Sequence, residues 1–384
     1  MPILTLYDRT TLAAIPWPAT PDGDYARRVL EPLVREGTLP FIANVDAEVR
    51  VLVVGDVVVP VVINAPRPTL VNSYVTSPTT HYIRYAKREV EIELHAQPWL
   101  RRLVPPLLDA WGPLLRWSRF ERVVYINNWL LSTNLYVNLD PPLLRTIRDS
   151  LIQHFPGQPL IFRSVNETTT ATLYRDLQAL DFRPVFSRQT YLLEPERVLR
   201  QRTKDLRSDQ GMARRTPHQW RGPAAIAPHE YGRLRTLYDD LYLAKYSHYN
   251  PQFTDRFMQM AVEQSWLHVR ALDYDGVLNG VLGYVERGDV LTTPIVGYDR
   301  HLPQKLGLYR LITLKLIEEG RERGKLINLS SGAASFKRNR GATSALEYNL
   351  VYDRHCLPRI QLPWRILEWL SHRAIIPVMR RYGL

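Results

Sequence analysis

The chain has 384 residues, a formal net charge of +12, 45% hydrophobic residues and one cysteine. This length and apolar content are typical of a globular protein of about two domains and exclude a disordered chain. No apolar run reaches the ~20 residues of a membrane helix, and a single cysteine excludes an intrachain disulfide and a thiolate zinc site.

The first predicted element is a β-hairpin. Residues 50–64 form two β-branched runs around Gly55, and Pro60 assigns the second run to a sheet edge or a bulge. An extended stretch is expected over 72–94, and apolar residues at helical spacing predict a helix over 97–116. The rest of this half is predicted as short elements: strands at 122–126 and 132–139, a helix from Asp140 to about His154, a strand at 160–165, a helix at 168–180 and a strand pair at 182–193.

The second half repeats this order with stronger signals. Its best-defined part is a three-strand meander with glycine in both turns, which is followed by a helix that ends at glycine. The predicted elements are helices at 228–246 and 254–261, strands at 266–275, 277–286 and 290–299, a helix at 306–324, a strand at 325–330, a short helix at 333–340 and a strand at 345–353.

This repeated order predicts an α+β fold that arose by domain duplication. We expect two tandem domains, 1–196 and 226–356, each with a mixed, mostly antiparallel sheet flanked by helices. A basic linker, 197–225, joins them, and a basic amphipathic tail follows at 357–384. The tail could touch a membrane surface, but we expect it to pack against the protein, and we predict no stable membrane insertion.

The positive charge favours a partner that carries phosphates. Arginine far outnumbers lysine among the 50 basic residues, and guanidinium groups suit phosphate and carboxylate ligands. A nucleotide cofactor, tRNA or an anionic membrane surface would fit, although a genomic preference for arginine codons also explains the ratio. The start MPILTLYDRT lacks the pattern of a signal peptide and Cys356 is single, so we expect a cytoplasmic protein.

Two motifs in the second half carry a family resemblance. The stretch HLPQKLGLYRLITL, with Gln304 and Gly307, is similar to the Q/R-x-x-G-x-G/A loop of acyl-CoA enzymes with the GNAT fold. Further along, Gly332, Phe336, Lys337 and Gly341 resemble the pattern of the branch that holds Fem-type aminoacyltransferases and CelD-like acetyltransferases. This resemblance spans about residues 228–353 and implies a tandem GNAT-like protein.

The resemblance implies acyl-CoA, with acetyl-CoA as the simplest case, as co-substrate, and it implies no metal. The loop before a helix offers backbone N–H groups to an anion, and glycine permits close approach. The residues that the resemblance assigns to the cofactor are Ile295, Val296, Gln304, Lys305, Leu306, Gly307, Leu308, Tyr309 and Lys337.

The first half resembles a GNAT core more faintly, through Asn166, Tyr174 and Phe182. Its segment 138–144 has no phosphate loop, because Pro141 and Pro142 lack N–H groups. We therefore expect the first domain to shape the substrate site without binding a cofactor.

Acyl transfer from a thioester to an amine requires an oxyanion donor, a group that accepts the amine proton and a group that protonates the thiolate. A bulge near 293–295 could supply the first. The tyrosine that many family members use for the last is replaced by Phe336, so the candidates for acid or base are His248, Tyr284, Tyr298 and Tyr309. The loop KYSHYNPQFT lies where the family covers its substrate, which implicates Lys245, Tyr246, Tyr249 and Asn250. Alternatively, the three tyrosines are core residues and His248 is a surface residue, and none of them takes part in catalysis.

Three functions fit these observations. The first is an N-acyltransferase that moves an acyl group from acyl-CoA to the amine of a small biosynthetic substrate. The second is a Fem-type transferase that takes an aminoacyl group from tRNA, which the net charge of +12 favours. The third is a non-catalytic binding protein on a degenerate double fold. The sequence does not predict an oligomeric state.

Overall fold

A computed structural model describes residues 4–64, 70–93 and 98–382. The strands in these ranges form one mixed sheet of twelve strands. The strands are β1 (Leu4–Tyr7), β2 (Glu48–Val54), β3 (Val57–Asn64), β4 (Val123–Ile126), β5 (Leu160–Asn166), β6 (Arg183–Leu193), β7 (Gln219–Arg221), β8 (His268–Tyr274), β9 (Val277–Arg287), β10 (Val290–Tyr298), β11 (Leu326–Asn328) and β12 (Thr343–Tyr352).

Helices flank this sheet. A π-helical turn, Thr80–Tyr85, leads directly into the helix that begins at Ala86, and two others, Asp240–Tyr246 and Ser371–Ile375, continue two later helices. The α-helices are α1 (Pro21–Glu36), α2 (Ala86–Glu93), α3 (Pro98–Asp109), α4 (Gly112–Trp117), α5 (Pro141–His154), α6 (Ala171–Ala179), α7 (Pro195–Gln201), α8 (Lys204–Ala213), α9 (Tyr231–Asp239), α10 (Asp255–Glu263), α11 (Leu308–Glu322), α12 (Ala334–Asn339), α13 (Pro358–Leu370) and α14 (Ile376–Tyr382).

The strand order shows two halves that exchange their last strands. It runs β1-β2-β3-β4-β5-β12-β6-β11-β10-β9-β8-β7. β4 pairs in parallel with β5, and β10 pairs in parallel with β11, whereas the other recorded pairs are antiparallel. β12, from the end of the second half, pairs with β5, and β6, from the end of the first half, pairs with β11. The predicted α+β fold of two tandem units, each with a mixed, mostly antiparallel sheet, is confirmed, and each unit is completed by a strand of the other.

The two halves also share the largest hydrophobic core. The largest core combines α1 and β2 of the first half with α9, α10 and β8 of the second half, so it joins the two units. A second core lies under α5 and α6, and a third lies under α7, α8 and α11. Arg287 adds a bidentate ion pair between the halves, with its Nε 2.8 Å and its Nη2 2.7 Å from the Asp22 carboxylate.

Several predicted elements of the first half need correction. Residues 80–93 are helical, not extended, and pack on α3; residue 94 lies outside the described residues. Residues 132–139 form a loop, because side chains such as Asn127 take up their backbone hydrogen bonds. Residues 183–193 are one strand, not a pair, since β12 and β11 occupy its two sides.

Pro60 does not mark a sheet edge. β3 lies between β2 and β4, and its pairing with β4 begins at Val61. The Pro60 carbonyl accepts a hydrogen bond from the Asn127 N–H (2.8 Å), so the proline lies where β4 ends. A missing N–H costs little at that position.

The segments outside the two predicted domains pack onto them. Residues 197–225 include α8, which contacts α11, and β7, which pairs with β8. In the tail, Arg183 of β6 binds Glu368 (2.8 Å), and the Phe186 N–H donates to the Ser371 hydroxyl (3.0 Å). The proposed boundaries at 196, 226 and 356 remain a prediction, since strand exchange leaves neither unit separable by one cut.

Candidate active site

The two parallel strands of the second half diverge after a short contact. β10 and β11 pair only from Val290 to Thr292, and β10 has a bulge between Thr292 and Ile295. The predicted bulge near 293–295 is therefore present. Because β11 ends at Asn328, the later part of β10 faces an opening, and Thr293 and Val296 line it.

A groove of about 540 Å³ lies at the start of α11, and we call it the α11 groove. Gly307 is the N-cap of this helix, with a φ of +62°, and no side chain caps it. The first N–H groups of a helix have no partner within it and lie at the positive end of its dipole, so they attract anions. Gln304, Leu308 and Tyr309 also line the groove, as the resemblance implied.

Basic side chains border the groove, but two of them are paired. Arg340 donates two hydrogen bonds to Asp209 (2.6 and 3.0 Å), and Arg310 reaches the same carboxylate at 2.5 Å. Lys245 also lines the groove, where partial desolvation of its amine, followed by the charge of Arg300, lowers its pKa. Asp205 and Asp299 line the groove as well, so three basic and two acidic side chains surround the uncapped helix start.

A second, larger cavity of about 1280 Å³ lies between the halves, and we call it the central cavity. It is lined by β6, by the start of α11, by the segment after β11 and by helices α2–α4 and α13–α14. Five residues line both the cavity and the α11 groove, which makes the two spaces neighbours: Leu241, Tyr246, Tyr309, Ala333 and Phe336.

Lys337 is buried in the wall of the central cavity. Its Nζ donates to the carbonyls of Leu329 (2.7 Å), Ser330 (3.1 Å) and Ser331 (2.7 Å), just past the end of β11. Burial, and to a smaller extent the charge of Arg188, lowers the pKa of this amine to about 7. All three ammonium hydrogens are used and the residue does not line the α11 groove, so the expected contact with a cofactor phosphate is not available to it.

His81, from the first half, also lines the central cavity. Its Nε2 is 3.2 Å from the Ser187 hydroxyl, and its Nδ1 is buried without a hydrogen-bond partner. Burial, followed by the charges of Arg163 and Arg188, lowers the pKa of the ring to about 3, so the imidazole is neutral at physiological pH. Sequence patterns do not identify this residue, because its neighbours predict an extended stretch where the chain is helical.

Two of the predicted acid–base tyrosines lie at the site. Tyr309 lies between groove and cavity, with its ring 4.7 Å from Phe336 and 5.8 Å from Tyr298. Burial raises the pKa of Tyr309, which keeps its phenol protonated. Tyr298 lines only the groove.

Tyr284 and His248 do not lie at the site. Tyr284 is fully buried on β9, where its hydroxyl donates to Glu319 and accepts from Arg323 Nε (3.0 Å). The His248 side chain is exposed and lines neither space, and its carbonyl accepts from Asn44 Nδ2 (3.1 Å). Neither is placed to serve as the acid or base of this site.

Some of the predicted cofactor and substrate residues line the α11 groove or the central cavity, and others line neither space. Val296 lines the central cavity, whereas Ile295 is buried in the core, and Lys305 and Leu306 line neither space. In the loop 245–254, Tyr246 and Asn250 line the cavity, but Tyr249 does not. This loop mainly joins the halves: the Tyr249 carbonyl accepts from the Ser73 hydroxyl (2.8 Å), and Asn44 Nδ2 donates to the Asn250 carbonyl (2.9 Å).

In the first half, the chain itself fills the corresponding opening. After β4, Asn127 and Leu130 adopt positive φ angles and turn the chain inward. The Asn134 side chain accepts from the Trp129 N–H (3.0 Å), and the Asn134 N–H donates to the Ser164 hydroxyl of β5 (3.0 Å). These residues are buried, and they form a plug between β4 and β5.

The helix that follows this plug is capped. Asp140 Oδ1 accepts from the Leu143 N–H (2.9 Å) at the start of α5, and Pro141 and Pro142 have no N–H to offer. A carboxylate therefore occupies the position that an anion would need in this half.

The sequence of the second half matches a known family. Residues 196–338 match the family model described as an acetyltransferase (GNAT) domain. This match, together with the strand order, gives the second half the GNAT fold. Because the first half repeats its strand order, the chain is a tandem of GNAT-like units. No curated protein sequence matches the chain.

Solved structures with detectable likeness share little sequence with this chain. FemX is 9% identical over 84% of this chain and 90% of its own, with a TM-score of 0.49. A tandem GNAT protein from the clavulanic acid biosynthesis pathway is 11% identical over 91% and 98%, with a TM-score of 0.36. L-PGS from Bacillus licheniformis is 14% identical over 61% and 78%, with a TM-score of 0.44.

Within residues 4–64, 70–93 and 98–382, no group of His, Cys, Asp and Glu has the arrangement of a metal site. Over the same part of the chain, no helix is both long and apolar enough to cross a bilayer.

Proposed function

We propose that the GNAT domain is an N-acyltransferase that uses acyl-CoA and acylates an amine in the central cavity. The uncapped start of α11, in a groove that adjoins a large buried cavity, carries this proposal. The pyrophosphate would bind the N–H groups after Gly307, and the pantetheine arm would pass Tyr309 into the opening beside β10.

In the proposed reaction the amine nitrogen attacks the thioester carbonyl carbon, and the C–S bond then breaks. The amine loses a proton, an amide forms, and the CoA thiolate leaves and takes up a proton. A backbone N–H at the bulge between Thr292 and Ile295 would stabilise the oxyanion. Tyr309, which stays protonated, would donate to the thiolate.

Lys337 is the group that we propose as proton acceptor. With a pKa of about 7 its amine is largely neutral at slightly alkaline pH, and a neutral amine has two hydrogens and a lone pair. It would keep two of its three carbonyl bonds and direct the lone pair toward the cavity. A base with a pKa close to the working pH is efficient in proton transfer.

Calorimetric titration of the full chain with CoA and acetyl-CoA tests this function. We expect one binding site per chain, because the first half fills its own opening. Absence of binding to either compound, together with salt-sensitive binding of aminoacyl-tRNA, would replace the proposal with the Fem-type alternative. Absence of both would favour a binding protein without catalysis.

A further inference from the structure

The central cavity has one wall that the GNAT domain does not supply. Helices α2–α4 of the first half and α13–α14 of the tail form it, and we call it the apolar wall. The only charged side chain that these helices contribute to the described lining is Arg88, whose Nε donates to the Tyr246 carbonyl (3.0 Å). Representative side chains of the apolar wall are Val104, Leu108, Trp111, Ile366, Leu370 and Met379.

The volume of the cavity exceeds what a short acyl group requires. At about 1280 Å³ it is larger than the roughly 300–1,000 Å³ of ordinary small-ligand pockets. An acetyl group would contact little of the apolar wall. A hydrocarbon chain would bury the wall from water, which is favourable in proportion to the area removed.

The apolar wall also reaches the protein surface. Leu107 and Ile375 both line the cavity, and yet they are 64% and 38% exposed. The cavity is therefore open to solvent beside Leu107 of α3 and beside Ile375 of the tail. A long chain could enter or extend through this opening without passing the α11 groove.

The path of the donor indicates which substrate carries the chain. Because the α11 groove and the central cavity share lining residues such as Tyr309, a thioester whose CoA part binds the groove would deliver its acyl chain into the cavity. None of the described residues that line the cavity is Asp or Glu, and its Arg188 is neutralised by an ion pair with Glu347 (2.8 Å).

We propose that the acyl donor carries a long hydrocarbon chain, of roughly eight carbons or more, that lies along the apolar wall. This inference rests on the proposed function and adds the class of its donor. Burial of the chain would make donor affinity depend on its length, while the CoA part would bind the α11 groove in every case.

The dissociation constants of CoA and of acetyl-, butyryl-, octanoyl- and dodecanoyl-CoA for the full chain test this proposal. We expect affinity to rise by roughly two- to fourfold per added methylene until the cavity is full. Equal affinity across the series would overturn the long-chain donor and leave the proposed function intact. If none of the five compounds binds, the proposed function itself fails.

A matched pair of variants on α13 locates the chain. Leu370 lines the apolar wall, whereas Leu362 is 40% exposed and does not line the cavity. Leu370→Trp should weaken dodecanoyl-CoA binding by at least tenfold and leave acetyl-CoA affinity unchanged, which also shows that the variant is folded. Leu362→Trp should change neither. Loss of dodecanoyl affinity in both variants, or in neither, would overturn the placement of the chain.

A parallel titration with octylamine in the presence of saturating CoA tests the other source of a chain. We expect no binding that is sensitive to Leu370→Trp. If octylamine binds and Leu370→Trp weakens it at least tenfold, while the acyl-CoA series is flat, the chain belongs to the acceptor and the donor proposal is overturned.

Discussion

The two halves of the chain use the same strand order, but they treat the opening between their parallel strands in opposite ways. In the first half the segment after β4 turns inward and fills it, with Asn134 bound to Ser164 of β5. In the second half the opening beside the β10 bulge leads into the central cavity. The two halves thus share one framework, whereas the opening is present in the second half and filled in the first.

The helices α5 and α11, which occupy matching places in the two halves, also differ at their N-termini. α5 begins with Asp140 as a side-chain cap and with two prolines, whereas α11 begins with Gly307 and has no side-chain cap. One start is closed by the protein's own carboxylate, and the other is open to an external anion. The difference lies in a few residues of sequence, and we expect it to decide where a phosphate can bind.

Of the changes that test this difference between the halves, cutting the chain between them should have the largest effect, and it should act on folding. Fragments 1–202 and 203–384 each lose the strand that the other supplies, and they divide the largest core. We expect neither fragment alone to show a cooperative unfolding transition by circular dichroism, whereas the intact chain should show one. A cooperative transition in either fragment would contradict the idea that the units depend on each other.

Replacement of Lys337 should have the next largest effect. Lys337→Met and Lys337→Arg should lower kcat/KM by roughly 10²–10⁴-fold, because neither side chain can accept a proton near pH 7. In the parent, kcat/KM should rise with pH through about 7 as the amine becomes neutral. Unchanged acetyl-CoA affinity would be the control for an intact site. Activity within twofold of the parent in Lys337→Met would exclude Lys337 as base.

The same residue predicts a trend in stability. The pKa of Lys337 is lowered from 10.5 to about 7 in the folded protein, so the unfolded chain binds more protons between these values. The free energy of unfolding of the parent should therefore rise from pH 7 to pH 10 relative to that of Lys337→Met. Denaturant titrations of both proteins over this range measure the difference, and parallel curves would contradict a lowered pKa.

A change of charge in the α11 groove should have a smaller effect, which we expect on the affinity for acetyl-CoA. Gln304→Glu places a carboxylate beside the expected pyrophosphate and should weaken acetyl-CoA binding by about 1 kcal/mol, roughly fivefold. Lys305→Gln makes the same change in net charge at a neighbouring exposed residue that does not line the groove. Equal effects of the two variants in calorimetry would point to a general charge effect and not to a phosphate site. Gly307 is less suitable, because a side chain there would clash with the Met212 sulfur.

Removal of the cap in the first half should have the smallest effect. Asp140→Ala should lower the free energy of unfolding by about 1 kcal/mol through loss of the α5 cap. It should leave one acetyl-CoA site per chain, because the plug after β4 remains. Appearance of a second site in calorimetry would show that the carboxylate alone keeps this half closed.

Local patterns predicted much of the second half. The meander, the bulge at 293–295 and the Gln304–Gly307 turn depend on neighbouring residues, so their signals are readable in the sequence. The exchange of β6 and β12 depends on pairing between distant segments, and no local pattern encodes it. The central cavity was missed for the same reason, since its walls come from both halves and from the tail.

Misplaced site residues have a common cause. The loop around His248 is rich in polar aromatics, which suggested contact with a substrate, but its backbone mainly joins the halves through Asn44 and Ser73. Tyr284 lies on a strand of the correct sheet, but its hydroxyl binds Glu319 on α11. The identity of a residue indicates what it can do, whereas its partners decide whether it is available.

The exchanged strands also determine when the sheet of the first half can be completed during translation. β5 and β6 are synthesised early, but β12 must insert between them, and it lies near the end of the chain. Until it emerges, both strands present unpaired edges, which are sites of aggregation during translation. The first-half sheet is therefore complete only after β12, Thr343–Tyr352, has been synthesised. A premature stop before β12 would leave two open sheets instead of one finished domain.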